Sequence, residues 1–287
     1  MNDNGRLPDD ARLGVVALNA RDLQGLVAFY ADTLGMALLQ EEEQGVLLGA
    51  GERPLLRLVH RPNGPARLPR SSGLYHFAIL LPSRRDLAET LWRLAGRHVE
   101  FQGFSDHLVS EAIYLADPEG NGIELYRDRP RAEWPYRGDA LQMATLPLDT
   151  DDLLAEADGP AEALAGGTTI GHVHLHVGDL ARAEAFYRSV IGFDLVLRYG
   201  PSAAFLSAGG YHHHLGLNVW AGRDVPSPPD DSPGLRWYEL LLPDEAALTG
   251  LLERARAAGL SPESDGEAYF LPEPAGARIR VTVQTPA

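Results

Sequence analysis

The 287-residue sequence contains no cysteine, which excludes disulfides, thiolate metal sites and a cysteine nucleophile. Basic residues are also few. The chain has 25 Lys and Arg against 40 Asp and Glu, a formal net charge of −15. Contacts to nucleic-acid phosphates need a basic surface, so this balance argues against a nucleic-acid partner. Any bound metal would have to be held by histidine and carboxylate side chains.

Long apolar runs are missing as well. Runs such as FAILLP (residues 77–82) are far too short to span a bilayer. The first residues are polar and acidic, without the apolar segment of a signal peptide. A hydrophobic content of 45% and a charged content of 23% are typical of globular proteins. We therefore expect a cytoplasmic protein that does not bind membranes, with a disordered tail at residues 1–11.

An internal repeat is the most informative positive feature. GVVALNARDLQGLVAFYADTLGM (residues 14–36) and GHVHLHVGDLARAEAFYRSVIGF (residues 171–193) share Leu, Asp-Leu, Phe-Tyr and Gly at a constant offset. GLYHFAILLP (residues 73–82) and GLRWYELLLP (residues 234–243) form a second pair. Similarity at a fixed period indicates one supersecondary unit used several times. The chain is therefore interpreted as four modules.

Each module is predicted to contain a strand, a helix and about three further strands. The alternation in HVHLHV (residues 172–177) is typical of a strand. Asp22 and Asp179 stand where helix N-caps are expected, and Gly35 and Gly192 where the helices would end.

Loops rich in proline and glycine mark the module boundaries, and a longer acidic stretch divides the two halves. The predicted organisation is an N-terminal half at residues 12–130 with modules at 12–60 and 73–127, a linker at 131–168, and a C-terminal half at 169–287 with modules at 170–222 and 234–285.

Four such modules resemble the vicinal oxygen chelate superfamily. The motifs that carry the resemblance are DL…FY…LG after the first strand and DPEGNGIELY (residues 117–126) at the end of module two. This superfamily includes glyoxalase I, bleomycin-resistance proteins and type I extradiol dioxygenases, and the chain is most similar to two-domain proteins of the catechol 2,3-dioxygenase type. The resemblance implies an α+β fold of βαβββ modules that curl in pairs into two cups, with a divalent metal inside.

The resemblance also implies a metal-ligand set. The residues at the family's ligand positions are, in chain order, Val15, His76, Glu124, His172, Trp237 and Arg280. His76, Glu124 and His172 make a two-histidine, one-carboxylate triad, which leaves positions open on non-haem Fe(II). Taken singly, each of the three could be an ordinary core histidine or a strand-end charge. Because they lie on modules two and three, we expect modules 2+3 to form the metal cup and modules 1+4 a cup without metal.

The histidine run in GGYHHHLGL supplies candidates for acid/base catalysis. Extradiol dioxygenases carry a histidine pair here, and a neutral imidazole can exchange protons near pH 7. The motif match suggests His213, whereas strand alternation places His212 and His214 on the opposite face. A slip of one residue in register reverses the choice, so His213 and His214 are both candidates and the acid/base stays open among residues 212–214.

Tyr114 is the third catalytic candidate. It precedes Glu124 by ten residues, the separation between a substrate-contacting tyrosine and the glutamate ligand in the family. Asp106 and His107 resemble the polar turn before that tyrosine, although the spacing here is longer. An ordinary packed aromatic residue is the alternative interpretation of Tyr114.

The resemblance predicts an Fe(II)-dependent extradiol dioxygenase that acts on a catechol-type aromatic diol with O₂, with Mn(II) as the alternative metal and a homo-oligomer as an open expectation. A second hypothesis is a glyoxalase-like lyase or isomerase that uses Zn(II), Ni(II) or Mn(II). A third is a non-catalytic protein of the same fold that binds aromatic ligands.

Overall fold

The computed structural model describes residues 5–284, and the same order of elements recurs four times within them. Module one consists of β1 (Arg12–Ala20), α1 (Leu23–Val27), β2 (Ala37–Glu42), β3 (Gly45–Ala50) and β4 (Arg53–His60). Module two consists of β5 (Gly73–Leu80), α2 (Arg84–Gly96), β6 (Phe101–Asp106), β7 (Ser110–Ala116) and β8 (Gly122–Asp128).

The segment between the halves has short elements of its own. These are a 3₁₀ turn (Arg131–Glu133), β9 (Tyr136–Arg137), β10 (Ala140–Leu141), β11 (Leu146–Pro147) and α3 (Thr150–Leu154). Module three consists of β12 (Thr169–His176), α4 (Leu180–Phe186), β13 (Asp194–Tyr199), β14 (Ala203–Ser207) and β15 (Leu215–Asn218). Module four consists of β16 (Gly234–Leu242), α5 (Glu245–Ala257), β17 (Glu263–Ser264), β18 (Tyr269–Pro272) and β19 (Arg278–Val283).

The repeated Asp-Leu motif starts a helix in both modules that carry it. The side chains of Asp22 and Asp179 each accept a hydrogen bond from the backbone N–H three residues further on, at 2.9 and 3.1 Å. These are N-caps, as the sequence predicts. Both helices continue into a π-helical turn, Ala28–Thr33 after α1 and Tyr187–Ile191 after α4. Gly192 ends the second turn with a φ of 104°, a conformation that favours glycine.

The strands form two large sheets in the part of the chain that the structure describes. Their orders are β17-β18-β19-β16-β1-β4-β3-β2 and β11-β6-β7-β8-β5-β12-β15-β14-β13. The first sheet contains the strands of modules 1 and 4, and the second those of modules 2 and 3. The predicted fold class and pairing of modules are therefore confirmed.

The first strand of a module lies beside its last strand. The pairs β5–β8, β12–β15 and β16–β19 are all parallel. The helices pack on these last strands: α1 on β4, α2 on β8, α4 on β15 and α5 on β19. Ile123 and Leu125 of β8 are fully buried, while Glu124 between them points to the opposite face.

The chain divides into two compact units. One comprises the described residues up to Val16, residues 65–75 and those from His172 onward; the other comprises residues 17–64 and 76–171. Each unit contains a hydrogen bond from a helix tyrosine to a buried carboxylate in the turn before a last strand. Tyr30 donates to Asp117 at 2.8 Å in one unit, and Tyr187 donates to Glu273 at 2.9 Å in the other.

Part of the predicted disordered tail packs on the protein. Residues 1–4 of that segment lie outside the described residues. Leu7 and Ala11 are buried, and the Leu7 N–H donates to the Gly192 carbonyl at 2.8 Å. The reason is apolar burial of Leu7 at the end of the module-three helix. Across residues 5–284, every helix is too short or too polar to cross a bilayer.

Candidate metal centre

His76 and Glu124 meet on the paired first and last strands of module two. In the β5–β8 register, His76 lies opposite Gly122, and Ala78 lies opposite Glu124. The side chains of His76 and Glu124 therefore point to the same face of the sheet, two residues apart in register. The His76 Nε2 and Glu124 Oε2 atoms are 3.0 Å apart, and both residues are buried. A carboxylate buried in this way needs a cation, a proton or strong hydrogen bonds to offset its lost hydration.

His172 of β12 completes the group. One candidate ligand atom from each of His76, Glu124 and His172 lies within 4.8 Å of the others, and all three residues are buried. It is the only group of three or more potential His, Cys, Asp or Glu ligands found among residues 5–284. The sequence-predicted ligand set is thus brought together.

The donor set fits a divalent first-row metal. Bonds of about 2.1 Å place neighbouring ligand atoms about 3 Å apart in an octahedral shell, close to the separation between His76 and Glu124. Two imidazoles and one carboxylate would occupy three positions of such a metal and leave the others open.

Small residues surround the ring of Tyr126, which lies on the same strand as Glu124. Ala78 and Ala112 are fully buried next to the ring of Tyr126. Gly171, directly before His172, is required for a close approach, because a Cβ there would overlap the Tyr126 hydroxyl. The glycine in GHVH therefore lets the Tyr126 ring lie against the start of β12.

Tyr114 is held by a histidine from the preceding turn. Tyr114 pairs with Glu124 in the β7–β8 register, and its ring centroid is 5.6 Å from that of His76. The His107 Nδ1 is 2.7 Å from the Ala144 carbonyl, and its Nε2 is 2.7 Å from the Tyr114 hydroxyl. A neutral ring that satisfies both contacts carries its hydrogen on Nδ1, so the Tyr114 O–H donates to Nε2.

The turn that carries His107 is fixed by ion pairs that the sequence did not predict. Asp106 accepts from the Leu108 N–H and from Arg129, both at 2.8 Å. Arg129 also reaches the buried Glu111 at 3.2 Å, which Arg127 contacts at 2.6 Å. In the sequence, the adjacent Asp106 and His107 indicate this turn. Arg127 and Arg129 cannot be recognised from the sequence, because their contacts depend on strand register.

The structure changes the interpretation of the histidine run. Strand β15 begins at Leu215, so residues 212–214 precede it and strand alternation does not apply to them. The His213 ring centroid is 4.1 Å from that of His172, and its Nδ1 is 2.7 Å from the Nδ1 of the fully buried His212. His213 is thus the member of the run that is placed beside a candidate ligand and oriented by a neighbour.

His214 has contacts of a structural kind. Its Nδ1 accepts the Ala208 N–H at 3.2 Å, and its ring lies 4.8 Å from that of Tyr211 and 6.3 Å from that of Phe193. Through these contacts His214, a catalytic candidate in the sequence analysis, stabilises the loop before β15.

Module four carries no equivalent group among the described residues. Trp237 is buried at the first-strand position, and Arg280 of the last strand forms an ion pair with Glu239. The Val15 N–H also donates to Glu239, at 3.1 Å. These residues do not form a ligand set.

Comparison with known proteins agrees with this geometry. The chain is 43% identical over 281 residues to a catechol-2,3-dioxygenase of Bacillus subtilis, covering 96% of this chain and 98% of the relative. It is 29% identical over 120 residues to biphenyl-2,3-diol 1,2-dioxygenase 3 of Rhodococcus globerulus, covering 41% of this chain and 63% of the relative. Among solved structures, glyoxalase I from Zea mays shares the fold, with a TM-score of 0.57, 16% identity, and coverage of 95% and 92% of the two chains.

A family description matches both halves of the chain. Residues 12–125 and 169–279 each match the glyoxalase family, described as the Glyoxalase/Bleomycin resistance protein/Dioxygenase superfamily. The two matches together cover well over half of the sequence. The chain belongs to the glyoxalase/bleomycin resistance protein/dioxygenase superfamily.

Proposed function

We propose that the protein is an Fe(II)-dependent extradiol dioxygenase that cleaves a catechol-type aromatic diol with O₂. The observation that carries the proposal is the group of His76, Glu124 and His172, whose ligand atoms lie within 4.8 Å of one another. The near full-length similarity to a catechol-2,3-dioxygenase supports this activity. A single carboxylate in the group also favours it over glyoxalase-like chemistry, which prefers a further carboxylate or Gln ligand.

The three side chains would hold Fe(II) through two imidazole nitrogens and one carboxylate oxygen. Bound there, the metal would supply a Lewis acid for both diol oxygens and a redox centre for O₂. Burial of all three ligands keeps water from competing for the charged groups.

Tyr114 and His107 can accept a proton from the diol. The Tyr114 hydroxyl donates to His107 Nε2, which leaves the lone pairs of its oxygen able to accept a hydrogen bond from substrate. A diol proton can pass to the Tyr114 oxygen as the tyrosine proton passes to His107. The Ala144 carbonyl stabilises the resulting imidazolium through the hydrogen on Nδ1.

His213 is suited to a second proton transfer. Its half-buried ring lies 4.1 Å from that of His172, and His212 holds its Nδ1 at 2.7 Å. An imidazole near neutrality can take a proton from the diol and return it to a reacting oxygen later in the reaction.

The proposal is tested by loading metal-depleted protein with Fe(II), Mn(II) or Zn(II) under anaerobic conditions. Catechols are then added with air. We expect Fe(II)-loaded protein to consume O₂ and to form a yellow semialdehyde, with Zn(II) inactive. Fe(II)-loaded protein that consumes no O₂ with any catechol, but isomerises a thiol hemithioacetal, would contradict the proposal and favour a glyoxalase-like lyase.

A further inference from the structure

Module four lines a cavity whose volume is about 730 Å³, a size typical of small-molecule sites. The cavity is bounded by the loop before β5, the loop that joins modules three and four, the first residues of β16, and the residues from β18 to the start of β19. All of its lining residues belong to the compact unit that contains the chain from His172 onward. The cavity is therefore formed within a single unit of the molecule.

One face of the module-four sheet carries two aromatic rings beside two guanidinium groups. Trp237 pairs with Arg278 in the β16–β19 register. Phe270 pairs with Arg280 in the β18–β19 register, so these four side chains point to the same face. The Trp237 and Phe270 ring centroids are 6.4 Å apart, edge to face. The Arg278 guanidinium lies 5.9 Å over the Phe270 ring, so apolar ring surface and positive charge meet where Trp237, Phe270 and Arg278 line the cavity.

Arg278 is able to bind a further acceptor. Its Nη2 atom is 2.7 Å from Oε2 of Glu263, and the two side chains are 47% and 66% exposed. An ion pair this exposed contributes little to stability, and a guanidinium has five N–H donors, so a ligand carboxylate can be added or can replace Glu263. Arg280, in contrast, pairs with the buried Glu239. Arg278 is therefore the guanidinium that is suited to a bound anion.

The acidic groups at the cavity oppose this positive charge only weakly. Asp230 and Asp231 lie on an exposed loop, where solvent screens them. Glu273 is buried and accepts hydrogen bonds within the chain, and burial raises its pKa, which reduces its negative charge at a given pH. Arg67 and Arg236 also line the cavity. The balance of charge therefore favours an anionic ligand.

The loops around the cavity are joined to one another. The Ser72 N–H donates to the Pro226 carbonyl at 3.0 Å, and the Ser72 hydroxyl donates to the Ala275 carbonyl at 2.7 Å. Gly276, with a φ of 99°, packs so closely on Ser227 that a Cβ there would lie 2.6 Å from the Ser227 Cβ. A ligand would therefore enter a site that is already formed, which reduces the ordering that binding requires.

We propose that this cavity binds a small aromatic carboxylate, with its ring against Trp237 and Phe270 and its carboxylate at Arg278. The site shares no residue with the candidate metal centre, and the proposal does not depend on the proposed function. A ring placed there contacts aromatic edges and faces, and the carboxylate accepts charge-assisted hydrogen bonds. A ligand needs both groups to make both kinds of contact.

The experiment measures benzoate binding to the Fe(II)-loaded protein by anaerobic calorimetry. Benzamide, which has the ring without the charge, and cyclohexanecarboxylate, which has the charge without the aromatic ring, are the matched ligands. We expect benzoate to bind about tenfold or more tightly than either. Arg278→Gln should weaken benzoate binding about tenfold and leave benzamide unchanged, whereas Trp237→Leu should weaken both about 3- to 10-fold. Arg256→Gln is the matched control, because Arg256 is exposed on α5 and does not line the cavity.

Repeating the titration with saturating catechol separates this site from the metal centre. Benzoate in the cavity should keep its affinity, whether or not catechol is cleaved when air is admitted. Absence of benzoate binding, displacement of benzoate by catechol, or equal affinities in Arg278→Gln and Arg256→Gln would overturn the proposal. A loss of benzoate affinity in Arg278→Gln alone, with catechol present, supports the site even if Trp237→Leu does not fold.

Discussion

In modules two and four, the first strand pairs in parallel with the last strand, and the two pairs have the same register. The corresponding pairs are His76–Gly122 with Trp237–Arg278, and Ala78–Glu124 with Glu239–Arg280. The carboxylate thus lies on the last strand in module two, as Glu124, and on the first strand in module four, as Glu239. An arginine takes the last-strand place of Glu124.

The difference shows two ways of neutralising a buried carboxylate on one framework. In module four the cation is part of the chain: Arg280 pairs with Glu239, which also accepts from Thr282 at 3.1 Å, and its guanidinium lies 5.6 Å over the Trp237 ring. In module two, Glu124 lies 3.0 Å from His76, and in the proposed function a metal held by these residues and His172 would neutralise it. A guanidinium satisfies the carboxylate permanently, whereas a metal leaves positions open for substrate.

The largest effect should come from removing a ligand in modules two and three. His76→Ala, Glu124→Ala and His172→Ala should each weaken metal binding by more than about 100-fold, because loss of a direct ligand costs more than loss of a residue that supports one. Metal content of the purified variants and far-ultraviolet circular dichroism check this, with the fold expected to remain. Val15→Ala and Trp237→His are the controls and should leave metal content unchanged, since Arg280 still occupies the carboxylate position. A full equivalent of iron in Glu124→Ala would show that the carboxylate is wrongly assigned.

The next effect concerns proton transfer beside the centre. His213→Gln should lower turnover of a catechol by about 10²–10⁴-fold while the protein retains its metal, because loss of a general acid/base has this size. Oxygen uptake measured alongside iron content separates the two. His214→Gln is the companion variant, and we expect it to lower the thermal midpoint more than the turnover. If His214→Gln lost more activity than His213→Gln at equal metal content, the roles would be reversed.

The ion pair of module four gives a smaller effect, on stability alone. Arg280→Ala leaves Glu239 buried without its cation, and breaking such a pair costs about 3 kcal/mol or more. Urea unfolding should show this loss with no change in metal content. The double variant Glu239→Ala/Arg280→Ala should regain much of the stability, because the stranded charge is then absent. A double variant as unstable as the single one would show that packing, not charge, is the cause.

The grouping of the three candidate ligands could be predicted from sequence because repeat offsets and strand position are local properties. His76, Glu124 and His172 each lie in a motif whose place on its strand is set by nearby residues. The acid/base residue could not be chosen from sequence, since the start of β15 depends on its pairing with β14 and with β12, about 40 residues earlier in the chain. Glu239 was missed for the same reason: its contact with Arg280 joins residues 41 positions apart.

The buried carboxyl group that accepts a hydrogen bond from Tyr187 should make the stability of the protein depend on pH. Glu273 accepts from Tyr187 at 2.9 Å and from the backbone N–H groups of Ala275 and Ala277, both at 2.8 Å. Burial nevertheless raises its pKa above the ordinary value of 4.5. The native state therefore holds this proton more tightly than the unfolded state.

The sign of the pH effect follows from that raised pKa. The contribution of Glu273 to the free energy of unfolding is fully present below about pH 4.5 and falls as pH rises through the native-state pKa. Glu273→Gln cannot ionise, so its stability should fall less than that of the wild type over this range. Urea unfolding from pH 4 to 8 measures the two slopes. Parallel pH profiles for wild type and Glu273→Gln would show that the Glu273 carboxyl group has the same pKa in the folded and unfolded chain.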